Sequence, residues 1–111
     1  MMEQMKLEDL TSEQINFQLI LYSGNARSKV IQSLREYRGG NVEESELLIA
    51  QAEQDLAVAH DVHFQLVQKE AQGEKVEISM LFIHSEDHLM STLTMKELVK
   101  ELLDIFKAKN I

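Results

Sequence analysis

The sequence predicts an all-α fold, an antiparallel three-helix bundle, and two observations carry that prediction. The 111 residues contain no Pro and only four Gly, and the chain is rich in Leu, Glu, Gln, Lys, Ala and Met, residues that lose little on entering a helix. The few breakers fall at two places, "RGGN" (38–41) and "QGE" (72–74), and divide the chain into three long segments of helical periodicity.

The first helix is expected over about 12–37. "TSEQ" (11–14) has capping-box spacing, and Ile15, Leu19, Tyr22, Ala26, Val30 and Ile31 recur on one face, with Tyr37 at the end. Gly39 is expected to stop it and Asn41 to cap the second helix, with Glu44 three residues on. That second helix is expected over about 42–71, with Gly73 as its left-handed C′ residue. Its seam Ile49, Ala52, Leu56, Ala59, His63 and Leu66 alternates three and four apart, the spacing of a helix packed against near-antiparallel neighbours.

The third helix takes the remainder. "VEISMLFI" (76–83) has strand composition but no partner strand elsewhere, so its residues are assigned to the approach and start of this helix. Two faces run along it. Leu81, Ser85, His88, Thr92, Met95, Val99, Leu102 and Phe106 form one seam; Ile83, Asp87, Met90, Thr94, Leu98 and Ile105 form a second. A three-helix bundle needs only one such face, so the second is either a contact with another subunit or part of a broad apolar stripe.

Length points to a single domain over 1–111, near the size at which one core sustains folding and association helps. A net charge of -8 argues against nucleic acid and against anionic membrane surfaces. The absence of Cys removes disulfides, thiolate metal sites and a Cys nucleophile. The apolar runs are short and "MMEQMKLEDL" is polar, so neither a spanning helix nor a signal peptide is expected, and the location expected is cytoplasmic.

The chemistry concentrates in "HSEDHLM" (84–90). At ~100° per residue, Asp87 lies about 60° to one side of His84 and His88 about 40° to the other, which makes one patch. Histidines at i and i+4 can share zinc, but Ser85 stands where the metalloprotease pattern needs Glu after the first His. Asp87 stands where the inverted pattern needs Glu before the second. A neutral imidazole is also a competent nucleophile that can carry a phosphoryl group. The residues alone leave the patch between that role and an ordinary polar surface.

"MLFIHSEDHLMSTLTMKELVKEL" (80–102) resembles the signature of the lactose/cellobiose-type enzyme IIA components of the bacterial sugar phosphotransferase system, in which a His is followed by Gly or Ala and then Gln-Asp-His-Leu-Met. "LYSGNARSKV" (21–30) is similar to that family's Tyr-Ala-Gly-Asp-Ala-Arg-Ser-Lys, and "AHDVHFQLVQKEAQGE" (59–74) to its second-helix end. The resemblance implies a homotrimer that accepts a phosphoryl group from the carrier protein HPr and passes it to a cysteine of the IIB component during uptake of a β-linked disaccharide. It implies His84 as the phosphohistidine, at Nε2, and His88 as a supporting residue. It implies Asp87 as an acid meeting its symmetry mates on the trimer axis, where a divalent cation such as Mg2+ is shared. Met80, Phe82, Met90 and Met95 are candidates for an apolar rim that both partners use.

Several positions depart from the family pattern. Glu86 replaces Gln and is expected either to place negative charge by the phosphoryl group or to point into solvent. Ser85 replaces a smaller residue, Asn25 an acid, and His63 a usual Gln. His63 is expected as a hydrogen-bonded interior residue; His60 and Arg27 match the family and stay outside the expected site, Arg27 being a charge that could help bind phosphate but is expected as an exposed one. Glu86 also favours the rival reading, a helical interaction module that keeps the scaffold without transfer.

Overall fold

The structure, a computed structural model, describes residues 7–111. The stretch on which the absence of a signal peptide was expected lies largely outside these residues. A single 3-10 turn (Leu7–Asp9) precedes α1 (Ser12–Arg38), α2 (Val42–Ala71) and α3 (Met80–Ala108). They form an elongated bundle of 51 × 25 × 21 Å, all-α among the described residues. No helix in it is long and apolar enough to cross a membrane.

The caps show why the helices start and stop where they do. Thr11 Oγ1 accepts from Gln14 N (3.1 Å) while Gln14 Oε1 accepts from Thr11 N (2.9 Å), so the expected capping box is formed. At the first joint the left-handed residue is Gly40 (φ +88), whereas Gly39 keeps right-handed geometry as the C-cap. Asn41 takes the N-cap position of α2 without a side-chain cap, because its amide donates to Glu36 Oε1 (2.9 Å) instead. Gly73 is left-handed as expected (φ +88). Most of "VEISMLFI" divides between an extended approach and the first turn of α3, and Ser79 caps that helix by accepting from Phe82 N (3.1 Å).

The core follows the seams with one shift of register. Ile15, Leu19, Ala26 and Val30 of α1 pack on Ile49, Ala52, Leu56, Ala59, Val62 and Leu66 of α2. On α3 the deepest apolar residues are Leu89, Val99 and Leu103, beside buried Ser85 and Thr92. Leu81, His88, Met95, Leu102 and Phe106 of the expected seam are only partly buried. Every member of the second face, from Ile83 to Ile105, is exposed. The bundle therefore leaves that face uncovered and does not absorb it as a broad core stripe.

Contact between the helices is uneven. α1 packs closely on both neighbours, whereas α2 and α3 meet sparsely. Across that seam the fastenings are polar. Glu53 pairs with Lys100 (2.9 Å) and Lys96 (3.7 Å), Glu46 with Lys107 (2.7 Å), and Glu86 with His63.

Candidate functional site

His84 and His88 lie one turn apart near the N-terminal end of α3, with ring centroids 5.9 Å apart and planes 14° from parallel. His84 is exposed, so its imidazole is open to an approaching partner. It sits about one turn inside the helix start, where the helix dipole modestly favours an anion on its ring. Asp87 is exposed on the adjoining face, flanked by exposed Ile83 and Met90. The three residues that the helical period groups are thus grouped here on the accessible side of α3.

His88 is the better anchored of the two histidines. Its carbonyl accepts from Thr92 Oγ1 (2.6 Å) and from the Arg27 guanidinium of α1 (3.4 Å). Its ring rests over Gly24 of α1, where an added Cβ would stand 3.4 Å from Nε2. Burial, foremost, lowers the pKa of His88 below its ordinary 6.5; the charges of Arg27 and His84 lower it further, and Asp87 partly opposes them. The surroundings of His88 therefore favour its neutral form.

Arg27 makes three contacts with α3. Its Nε donates to Thr92 Oγ1 (3.1 Å), and its Nη2 reaches both the His88 carbonyl and Ser91 Oγ. It also lines, with Gly24, Lys29, Arg35, Leu48 and His88, a groove of about 720 Å³ beside the histidine pair. This cationic lining stands out on a chain of net charge -8. Sequence reasoning left Arg27 aside as an exposed charge. Its signal was the spacing Gly24-x-x-Arg27, which puts both on one face of α1.

The departures at 85, 86 and 63 are explained by packing. Ser85 is fully buried, and its hydroxyl donates to the Phe82 carbonyl (2.7 Å), with Asn16 Oδ1 at 3.3 Å. Glu86 neither faces His84 nor points into solvent. Two positions along a helix is ~200° of rotation, so its carboxylate faces α2, where one oxygen bonds His63 Nδ1 and the other is buried without a partner. The substitutions at 63 and 86 are two halves of one contact, and His63 is the hydrogen-bonded inward residue it was expected to be. Of the expected apolar rim, Met80 (81% exposed) and Met90 (41%) are open, while Phe82 and Met95 pack against the core.

Among the described residues no group of three or more His, Cys, Asp or Glu side chains gathers to hold a metal ion. Asp87 offers one oxygen-donor carboxylate, which suits a hard cation but supplies too few ligands alone. Within one chain the expected metal site finds no support.

The family described as "PTS system, Lactose/Cellobiose specific IIA subunit" matches residues 14–107. The oligo-beta-mannoside-specific EIIA component of Bacillus subtilis is 66% identical over 99% of this chain and 100% of its own length. The lactose-specific EIIA component of Streptococcus mutans is 37% identical over 84% of this chain and 89% of its own. Among solved structures, the crystal structure of the cellobiose-specific enzyme IIA from Bacillus anthracis superposes with a TM-score of 0.85, at 44% identity over 91% of this chain and 93% of that one.

Proposed function

Because the chain belongs to the lactose/cellobiose-specific IIA subunits of the sugar phosphotransferase system, we propose that it is a cytoplasmic phosphohistidine carrier. It takes its phosphoryl group from HPr on His84 and gives it to a cysteine of the IIB component. The transported sugar is a β-linked disaccharide or short oligosaccharide, in line with the specificities for which its relatives are named. The observation that carries this reading is the exposed His84 imidazole beside the anchored His88.

The chemistry needs little machinery. The neutral Nε2 of His84 attacks the phosphorus of phospho-HPr; the new N–P bond forms as the donor's N–P bond breaks. In the second step the IIB thiolate attacks phosphorus, an S–P bond forms, and His84 is released as free imidazole. His88, held from behind by its own carbonyl, presents a neutral ring alongside and adds no positive charge that would disfavour loss of the phosphoryl group. Met80, outside the second face of α3, supplies flexible apolar contact for two partners in turn. Glu86 is turned toward α2, which removes the motive for the non-catalytic reading.

Three copies associate through the second face of α3, whose apolar members are exposed in the single chain. Asp87 lies within that face, so association brings three carboxylates to one axis. They would repel unless protons or a divalent cation, Mg2+ by the preference of oxygen ligands, neutralised them. When bound, the ion's contribution is that neutralisation.

The test is labelling with phosphoenolpyruvate, enzyme I and HPr. The parent acquires one acid-labile, base-stable phosphate per chain, and His84→Gln acquires none while keeping its helical circular dichroism. Label persisting on His84→Gln, at His88 or His63, overturns the assignment.

A further inference from the structure

We propose that Arg27 of α1 is a positioning residue for phosphoryl transfer, acting through His88; the proposal rests on the phosphocarrier reading above. The two residues are 61 positions apart in sequence. Arg27 grips the turn of α3 that carries His88 at three residues: the His88 carbonyl, the Ser91 hydroxyl and the Thr92 hydroxyl. The Thr92 hydroxyl, while accepting from Arg27 Nε (3.1 Å), itself donates to the His88 carbonyl (2.6 Å). The arginine thus reaches that carbonyl by two routes, one direct and one through Thr92.

A second restraint acts on the ring. Gly24 lies one helical turn before Arg27 on the same face of α1, and its missing side chain lets the Nε2 edge of His88 approach the α1 backbone. Backbone grip and ring seat together leave the imidazole little freedom to turn, which fixes it near parallel to His84. The guanidinium fork is required for this arrangement. Its Nε and Nη2 donate in different directions from one rigid plane, a geometry that a lysine ammonium cannot reproduce. A residue needed only to hold α1 against α3 has no such requirement, since the apolar core of Leu19, Val30 and Leu89 already joins those helices.

The experiment is rapid-quench transfer from phospho-HPr to the full chain over a range of donor concentrations. Misplacement of a supporting group by a fraction of an ångström is expected to slow Arg27→Lys and Arg27→Ala about 10-fold or more at saturating donor. The donor concentration for half-maximal rate stays near that of the parent. His88→Ala slows by a similar factor, and the double variant Arg27→Ala/His88→Ala is no slower than His88→Ala alone, because Arg27 acts only through that ring. Thr92→Val, which keeps shape and removes the hydroxyl relay, is slowed part of the way.

A readout independent of activity comes from imidazole 15N shifts of the unphosphorylated protein, which move for His88 but not His60 in Arg27→Lys. Normal rates in both Arg27 variants, or slowing factors that multiply in the double variant, overturn the proposal while leaving the carrier reading intact. A parent that takes no label at His84 removes both.

Discussion

At Gly24 two consequences of a single methyl group oppose one another. Gly in a helix interior costs about 1 kcal/mol relative to Ala, so Gly24→Ala gains helix stability. The new Cβ stands 3.4 Å from His88 Nε2, at the tight edge of ordinary van der Waals contact, so it crowds the seat of the ring. The expected outcome is a variant that melts at or above the parent temperature and transfers phosphoryl groups more slowly. Equal rates with a higher melting temperature would show that the seat tolerates a methyl. His88 also sets a pH dependence. Its folded pKa lies below the unfolded value of 6.5, so the unfolded chain binds more protons in the window between the two. Stability is whole above 6.5 and falls as pH drops from there toward the folded pKa; His88→Gln flattens that part of a urea-midpoint titration. How much of this was legible differs from residue to residue. The grouping of His84, Asp87 and His88 follows from the helical period alone. The partner of Glu86 does not, because it depends on the register of α2 against α3, which no local pattern encodes. Arg27 was passed over for a related reason: a half-buried charge reads as an exposed one until the helix it faces is known.

Among the elements, α3 carries opposite surfaces on one cylinder. Leu89 is fully buried, so Leu89→Ala is expected to cost about 2–5 kcal/mol by urea unfolding at dilutions where the chain is monomeric. Ile83→Ala, on the open face, is expected to cost well under 1 kcal/mol in the same monomer. A comparable loss in both would mean that Ile83 is covered within the single chain. The second face was legible because its members repeat along the helix, whereas the first seam was placed slightly off. Leu89 and Leu103 were absent from it and His88 was included, since the 3.6-residue period lets a seam drift across neighbouring columns over 29 residues. Caps were legible where side chain and spacing both fit, as at Thr11. Ser79 was obscured by the β-branched and aromatic composition around it, and Asn41 was diverted by Glu36, a competitor from the preceding helix.

For the whole molecule the proposed association turns on Asp87. If three carboxylates face one another on an axis, Asp87→Leu gives an assembly at least as stable as the parent, because replacing buried charges with packed apolar groups is often neutral or stabilising. On that arrangement chelator is expected to loosen the parent assembly and to leave the variant unchanged in sedimentation velocity. A parent that stays monomeric throughout would leave the second face of α3 without a partner of its own kind. The uneven fastening of the bundle bears on a different property, its breathing. α2 is tied to α3 chiefly by ion pairs that salt screens and water replaces, while α1 is joined to both by apolar surface. Thermal opening should therefore begin between α2 and α3, with amide exchange there quickened by salt. The histidine turn meets that opening only through Glu86, and Arg27 and Gly24 seat it on α1, so the histidine pair stays assembled while the rest of the bundle flexes.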